Sequence, residues 1–384
     1  MNGTNSKGAI LQIADYGAPY SGNFIHSLLY LQQEIAVELD RNMILVLPLR
    51  ASSRSWMDLI QSRKIPFLFI DERMPLVKRF RMVEKFARRH NAILLHSHFT
   101  AFDLDAAFVA RRMNIKLIWH LHSKFIRNYT LKQRLKDLIK MKAVATSCVD
   151  RLVAVSDSVA ADAKLRGFPD SKIMTIHNGI DLTRIHLKQK RERVLLRESY
   201  DILEDHRVFL LFGWEPRTKG VDLFIEAAKL LGETGQKKIL CLIVRNGQRM
   251  NEGDQMAVDN PWIRFVRPVE NVAELYGLSD CFVSASRSEA FSYAIAEAMA
   301  AGLPVISSDI PALGFYKQAG EGYISFGTED VSELANSLNR ICESSPAKLV
   351  QVGELNQNYV RANLTVDRWC EKVISLYRAL LNQV

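Results

Sequence analysis

Short apolar runs alternate along the chain with segments of helical periodicity. The runs are Ala9 to Ala14, Met43 to Leu49, Pro66 to Ile70, Ala92 to His98, Lys116 to His122, Arg151 to Ser156 and Lys172 to His177. Each is strand-length and nearly continuous in apolar character, the pattern of strands buried on both faces. With helical segments between them they predict a doubly wound α/β domain. Asn178-Gly179-Ile180-Asp181 reads as a turn, and the alternation then restarts with Arg207 to Gly213, Lys238 to Val244, Trp262 to Val269, Cys281 to Ala285, Pro304 to Ser308 and Gly322 to Phe326. Two such domains are expected, residues 1–180 and 181–364, joined near residues 178–190. Helices follow at 328–344, 347–363 and 366–381, the last with Trp369, Val373, Leu376, Tyr377 and Leu380 at helical spacing. Neither a solenoid-type repeat nor a low-complexity tract interrupts the pattern.

Within that frame one stretch concentrates chemistry: Ser286-Arg287-Ser288-Glu289-Ala290-Phe291-Ser292-Tyr293-Ala294-Ile295-Ala296-Glu297. It sets two carboxylates, Glu289 and Glu297, around a predicted helix start. A helical rise carries one roughly 12 Å from the other along the axis, about the separation of the sugar and the ribose in a nucleotide sugar. The N–H groups of Phe291, Ser292 and Tyr293 in the first turn suit a diphosphate. Two spaced glutamates alone read as solvated acids on an amphipathic helix. The buried runs on either side, Cys281 to Ala285 and Val305 to Ser308, instead put Glu289 at the carboxyl edge of a parallel sheet, where such folds bind ligands.

Composition narrows the class. Of the 384 residues, 48% are hydrophobic and 24% charged, as in a folded soluble protein, and no apolar run reaches the ~18 residues of a transmembrane helix. The first twenty residues lack the layout of a secretory signal, so a cytoplasmic protein is expected. Cys148, Cys241, Cys281, Cys342 and Cys370 are scattered without paired spacing and read as thiols, not as a disulfide framework or zinc site. A net charge of +9 points to an acidic partner. Lys124, Arg127, Lys132, Arg134, Lys136, Lys140 and Lys142 stand against Asp137 alone and interleave with apolar residues. Residues 124–142 thus suit peripheral contact with an anionic membrane, at the inner face of the plasma membrane. An ordinary surface helix with its stripe in the core is the equal alternative. Nucleic acid is disfavoured, because the basic residues form no aromatic-interleaved platform.

Glu, seven residues, Glu, then Ala-Met-Ala-x-Gly-x-Pro-Val closely resembles the signature of retaining GT-B glycosyltransferases, family 4 above all. The resemblance implies two Rossmann-like domains facing a deep cleft, with a C-terminal helix (residues 365–384) crossing back to the first. It implies a nucleotide-sugar donor, expected to be UDP-linked, on the second domain and a hydroxyl-bearing acceptor on the first, with no metal and no other cofactor. The enzyme would then be a hexosyl- or N-acetylhexosaminyl-transferase in bacterial surface polysaccharide or glycolipid synthesis. Alternatives are a transferase acting on a soluble small-molecule or natural-product acceptor, or a non-catalytic nucleotide-sugar binder.

Residue by residue, the resemblance gives Glu289 the donor-sugar hydroxyls, Glu297 the ribose, and the Phe291, Ser292 and Tyr293 amides the phosphates. The chain has Glu289-Ala290-Phe291-Ser292 where the family often has Glu-Gly-Phe-Gly, and a helical backbone at Ala290 and Ser292 would keep those contacts. Phe212-Gly213-Trp214-Glu215-Pro216-Arg217-Thr218-Lys219-Gly220-Val221-Asp222 resembles the family segment whose Arg and Lys bind donor phosphate. Gly213, Lys219 and Gly220 match; Trp214 stands where the Arg usually is, which leaves Arg217 as the expected second cation. Gly22 matches a glycine-rich loop, with Asn23 beside it on the acceptor side. His122 matches the histidine placed at the donor sugar. His120, two positions back on the same strand face, and His96 and His98 on an earlier strand are expected to line the acceptor side of the cleft. A His-x-His pair also invites a metal, but no third ligand at recognisable spacing follows it. Asp103-Leu104-Asp105 reads as acids opening a helix.

Overall fold

The computed structural model describes residues 8–124, 146–185, 190–236, 238–245, 260–269 and 271–382. The basic amphipathic segment, from residue 125 to 142, lies outside the described residues. The chain divides into two compact units, residues 1–179 with 366–384, and residues 180–365.

In the first unit the apolar runs form β1 (Ala9–Ala14), β2 (Asn42–Pro48), β3 (Phe67–Ile70), β4 (Ala92–His98), β5 (Lys116–Leu121), β6 (Arg151–Ala154) and β7 (Ile173–Thr175). They make one sheet in the order β3-β2-β1-β4-β5-β6-β7, with every neighbouring pair parallel. All six residues of β1 are buried, as expected of a strand covered on both faces. The run predicted as Arg151 to Ser156 stops at Ala154 because Ser156 caps the next helix, its hydroxyl accepting from Val159 N–H at 3.4 Å. The acids of the Asp103–Met113 helix are structural: Asp103 accepts from Ser97 Oγ and Asp105 pairs with Arg79.

The last helix, Val366–Leu381, belongs to this unit. It buries Trp369, Cys370, Val373, Ile374, Leu376, Tyr377 and Leu380 beside Phe24, Ile25, Leu28 and Ile35 of the Gly22–Leu39 helix. Tyr377 accepts a hydrogen bond from Gln12 Nε2 of β1 at 2.9 Å.

In the second unit β8 (Arg207–Phe212), β9 (Ile239–Val244), β10 (Ile263–Val266), β11 (Cys281–Ser284), β12 (Val305–Ser308) and β13 (Tyr323–Phe326) form a parallel sheet in the order β10-β9-β8-β11-β12-β13. Strand order reverses between β8 and β11, so the loops leaving their carboxyl ends diverge there and open a crevice, the usual ligand position of such sheets. Residues 213–220 leave β8 and residues 285–292 leave β11, and these loops carry most of the residues singled out above.

Candidate active site

A cavity of about 310 Å³ sits at this switch point, the lower end of the size range for ligand pockets. Its apolar wall is Leu211, Phe212, Phe282 and Val283. Its polar lining includes Lys219, Ser286, Glu289, Ser292 and Glu297, with Trp214 also on the wall. The two glutamates therefore reach one space.

Two devices bring the loops together. Gly220 has φ +66°, and a Cβ on it would lie 2.0 Å from the Ala285 carbonyl oxygen, so only glycine lets the β8 loop approach the end of β11 this closely. Arg287 then clamps the loops from the other side. Its guanidinium binds Asp222 (2.8 Å at both oxygens), Glu329 and the Arg217 carbonyl, and its N–H donates to Thr218 O at 2.8 Å. As a result Lys219 Nζ meets Glu289 Oε1 at 2.5 Å, and Ser286 Oγ donates to the same oxygen at 2.9 Å. The Glu289 side chain is only 10% exposed, so both contacts offset its desolvation.

The helix after this loop spans Tyr293–Ala300 and starts two residues later than the sequence suggests. Ser292 is extended (φ −103°, ψ 100°) and is its N-cap, accepting from Ile295 N–H at 3.4 Å. The expected helical backbone at Ser292 is thus corrected, since a side-chain oxygen available for capping favours non-helical geometry there. Tyr316 Oη donates to the Ser292 carbonyl at 2.8 Å and fixes the turn. Residues 290–292 of the eight-residue interval between the glutamates are loop and only Tyr293 onward is helix, so the 12 Å helical rise does not apply. Glu297 lies in the second turn, buried, and accepts from Tyr276 Oη at 2.7 Å. Burial and the adjacent Glu297 carboxylate raise the pKa of Tyr276 well above the ordinary phenol value, so it stays a donor.

In the first unit the carboxyl ends of β4 and β5 hold a histidine cluster. His96, His98 and His120 are completely buried, while His122, one residue past β5, is partly exposed. Phe24 packs edge-on against His98 and His122, and Phe99 lies 4.5 Å from the His122 ring. Phe99 itself has φ +66°, uncommon for a bulky residue. Burial pushes the pKa values of all four histidines well down, so the rings are neutral. Among the described residues His120 Nε2 has no hydrogen-bond partner, at a cost of about 1–3 kcal/mol.

Two expectations change here. His96, His98 and His120 do not line an open surface; they are core residues, His96 bonded to His120 and Tyr377 and His98 to Gln12 and His122. A third imidazole does join the His-x-His pair, supplied by the neighbouring strand, and one ligand nitrogen from each of His96, His98 and His120 falls within 4.8 Å of the others. His96 Nε2 and His120 Nδ1, however, face each other at 3.2 Å as a hydrogen bond between rings parallel to 4°, so a metal there would need both to turn. Gly22, at φ +54°, opens the Gly22–Leu39 helix, with Asn23 buried behind it.

Two family models match the chain: "Glycosyltransferase Family 4" over residues 44–184 and "Glycosyl transferases group 1" over residues 206–344. The chain belongs to glycosyltransferase family 4. It is 27% identical over 313 residues to N-acetyl-alpha-D-glucosaminyl L-malate synthase of Bacillus anthracis, covering 78% of this chain and 76% of that one. It is 24% identical over 282 residues to D-inositol 3-phosphate glycosyltransferase 2 of Catenulispora acidiphila, covering 68% and 65%. Anabaena HepE in complex with UDP-glucose superposes with a TM-score of 0.79 at 18% identity, covering 97% of this chain and all of that one. The fold is GT-B, built from two Rossmann-like sheets.

In this glycosyltransferase the cavity gathers Lys219, Glu289, Ser292, Tyr293, Phe291 and Glu297 from the sequence-predicted set. Gly213 lies buried at the end of β8, where a Cβ would meet Val221 at 2.6 Å, a packing role. Arg217 is exposed and does not line the cavity; what it contributes is its carbonyl, to Arg287. Trp214 takes the wall position instead. Tyr276, Ser286 and Arg287 were missed. Ser286 and Arg287 stood inside the singled-out stretch without a distinguishing pattern, and Tyr276 lies 21 residues from its carboxylate partner.

Proposed function

We propose that the chain transfers a sugar from a nucleoside-diphosphate sugar, expected to be UDP-linked, to a hydroxyl acceptor with retention of anomeric configuration. The observation that carries this reading is the second-unit cavity, which combines one ammonium, two carboxylates and a capped helix N-terminus. In the proposed reaction the bond from the anomeric carbon to the diphosphate oxygen breaks, and negative charge grows on the leaving phosphate. Lys219 offsets that charge more in the transition state than in the ground state. The acceptor oxygen bonds to the anomeric carbon from the face the nucleotide leaves, and its proton passes to the departing phosphate oxygen. Glu289, held by Lys219 and Ser286, keeps lone pairs for donor-sugar hydroxyls, and Glu297, held by Tyr276, keeps them for the ribose. From the first unit, His122 is the candidate ligand-contacting residue. The HepE complex, which holds UDP-glucose, supports the choice of donor.

For the acceptor, the names of the two sequence relatives, an N-acetyl-alpha-D-glucosaminyl L-malate synthase and a D-inositol 3-phosphate glycosyltransferase, favour a small hydroxylated acid. The net charge of +9 agrees with an anionic partner. A lipid-linked or polysaccharide acceptor is the second reading, which rests on the basic segment 124–142. Nucleotide release from UDP-, GDP- and ADP-sugars, measured with malate, inositol phosphate and lipid-linked acceptors in turn, tests both. Acceptor-dependent release of one nucleotide is expected. No release with any pair, alongside tight nucleotide binding, would make the chain a non-catalytic binder. Sedimentation with anionic vesicles separates the acceptor classes: co-sedimentation favours the lipid.

A further inference from the structure

Gln12 and Tyr377 are joined to the four clustered histidines by one unbranched run of hydrogen bonds. On one arm Gln12 Nε2 is 2.9 Å from Tyr377 Oη, which is 2.6 Å from His96 Nδ1, and His96 Nε2 is 3.2 Å from His120 Nδ1. On the other arm Gln12 Oε1 is 2.9 Å from His98 Nε2, and His98 Nδ1 is 3.1 Å from His122 Nε2. A neutral imidazole has one N–H and one lone pair, on opposite nitrogens. Fixing one proton in the run therefore fixes its neighbours. Only two arrangements satisfy every bond and also use the tyrosine proton: Nε2–H in all four rings, or Nδ1–H in all four with the Gln12 amide reversed.

The amide orientation chooses between them. Gln12 presents Nε2 to Tyr377 and Oε1 to His98, so the tyrosine oxygen accepts from the amide and its own proton goes to His96 Nδ1. His96 Nε2–H then donates to His120 Nδ1. The amide N–H of Gln12 donates to Tyr377, its carbonyl accepts from His98 Nε2–H, and His98 Nδ1 accepts from His122 Nε2–H.

We propose that Gln12 and Tyr377 are positioning residues that hold His122 as its Nε2–H tautomer, so that its Nδ1 is an unprotonated acceptor reserved for a ligand hydroxyl. His122 is the one residue of the four that is only partly buried, so the register set in the core ends there. A lone pair at Nδ1 favours a hydroxyl and repels a bare phosphate or carboxylate oxygen at the same place. That this hydroxyl belongs to donor or acceptor sugar rests on the function proposed above; the proton register does not.

Ring-nitrogen 1H–15N correlation spectra of the full, unliganded chain, labelled at histidine, test the register without any substrate. Nε2–H tautomers for His96, His98, His120 and His122 are expected. A mixed set, or Nδ1–H at His122, would overturn the proposal. In Gln12→Glu, the carboxylate accepts from both Tyr377 and His98, which turns the tyrosine proton around. His96 and His120 should then switch to Nδ1–H while His98 and His122 stay Nε2–H; an unchanged spectrum counts against the relay. In Gln12→Met, His122 should show both tautomers and kcat should fall at least tenfold with little change in donor KM. If His122 keeps a single Nε2–H tautomer in that variant, Gln12 does not position it. The wild-type spectrum decides the matter should either variant fail to fold.

Discussion

Glu289 sits 2.5 Å from Lys219 and mostly out of water, so each residue depends on the other for its place. Replacing a preorganised group aimed at developing charge typically lowers kcat about 10²–10³-fold. Glu289→Gln and Lys219→Ala are each expected to fall in that range in steady-state kinetics. The double variant should lose less than the product of the two, because paired residues act as a unit. Tyr276→Phe removes the donor that holds buried Glu297, which costs about 1–3 kcal/mol of support for the carboxylate. A rise of about tenfold in donor KM with kcat nearly unchanged is expected, and a wild-type KM would remove Glu297 from the ribose. At this scale Glu289 and Glu297 were legible from their local spacing, and Lys219, 70 residues before Glu289, from the resemblance of its own segment. Tyr276 was not, since only folding brings it to Glu297. Arg217, the expected second cation, does not line the cavity, and its carbonyl is what the Arg287 clamp holds.

At the element scale the decisive pieces are the turn before Gly220 and the cap at Ser292. Gly220→Ala forces a left-handed backbone on a residue with a Cβ and drives that atom to 2.0 Å from a carbonyl oxygen. A loss well beyond the ~1 kcal/mol of an ordinary Gly-to-Ala strain is expected in denaturant unfolding, with activity lost because Lys219 is displaced. Ser292→Ala should cost only about 1 kcal/mol, the usual worth of a cap. All the predicted strands form, since continuous apolar runs between turn residues have few alternatives. A strand end moved at Ser156 and a helix start at Ser292, where the side chain competes for backbone N–H groups, a contest that apolar periodicity does not register.

Across the whole molecule, the final helix completes the first unit's core. Eight of its residues are buried, and apolar side chains contribute about 1.5–3 kcal/mol each, so their sum rivals a domain's entire net stability. A chain ending at Thr365 is expected to lose folded first-unit structure, measured by loss of protected amides in β1 and β4. Stability should also depend on pH through the histidine cluster. These rings stay neutral when folded, with pKa values pushed well below the ordinary 6.5 by burial, while the unfolded chain takes up protons below pH 6.5. The unfolded state then binds more protons, so stability falls as pH drops, by up to about 1.4 kcal/mol per ring per pH unit. A Tm that holds steady from pH 7 to 5.5 would contradict the neutral cluster.

By itself the sequence determined the two doubly wound sheets, the closing helix and the Glu289 to Glu297 stretch, because apolar periodicity and short-range motif spacing are properties of neighbours along the chain. Tertiary structure alone decided which glutamate is held by a tyrosine and which by a lysine. It also turned three of the four clustered histidines into core and left Arg217 off the cavity wall. Those outcomes depend on groups far apart in sequence competing for the same hydrogen bonds and the same buried volume, and that competition is settled only when the strands are side by side.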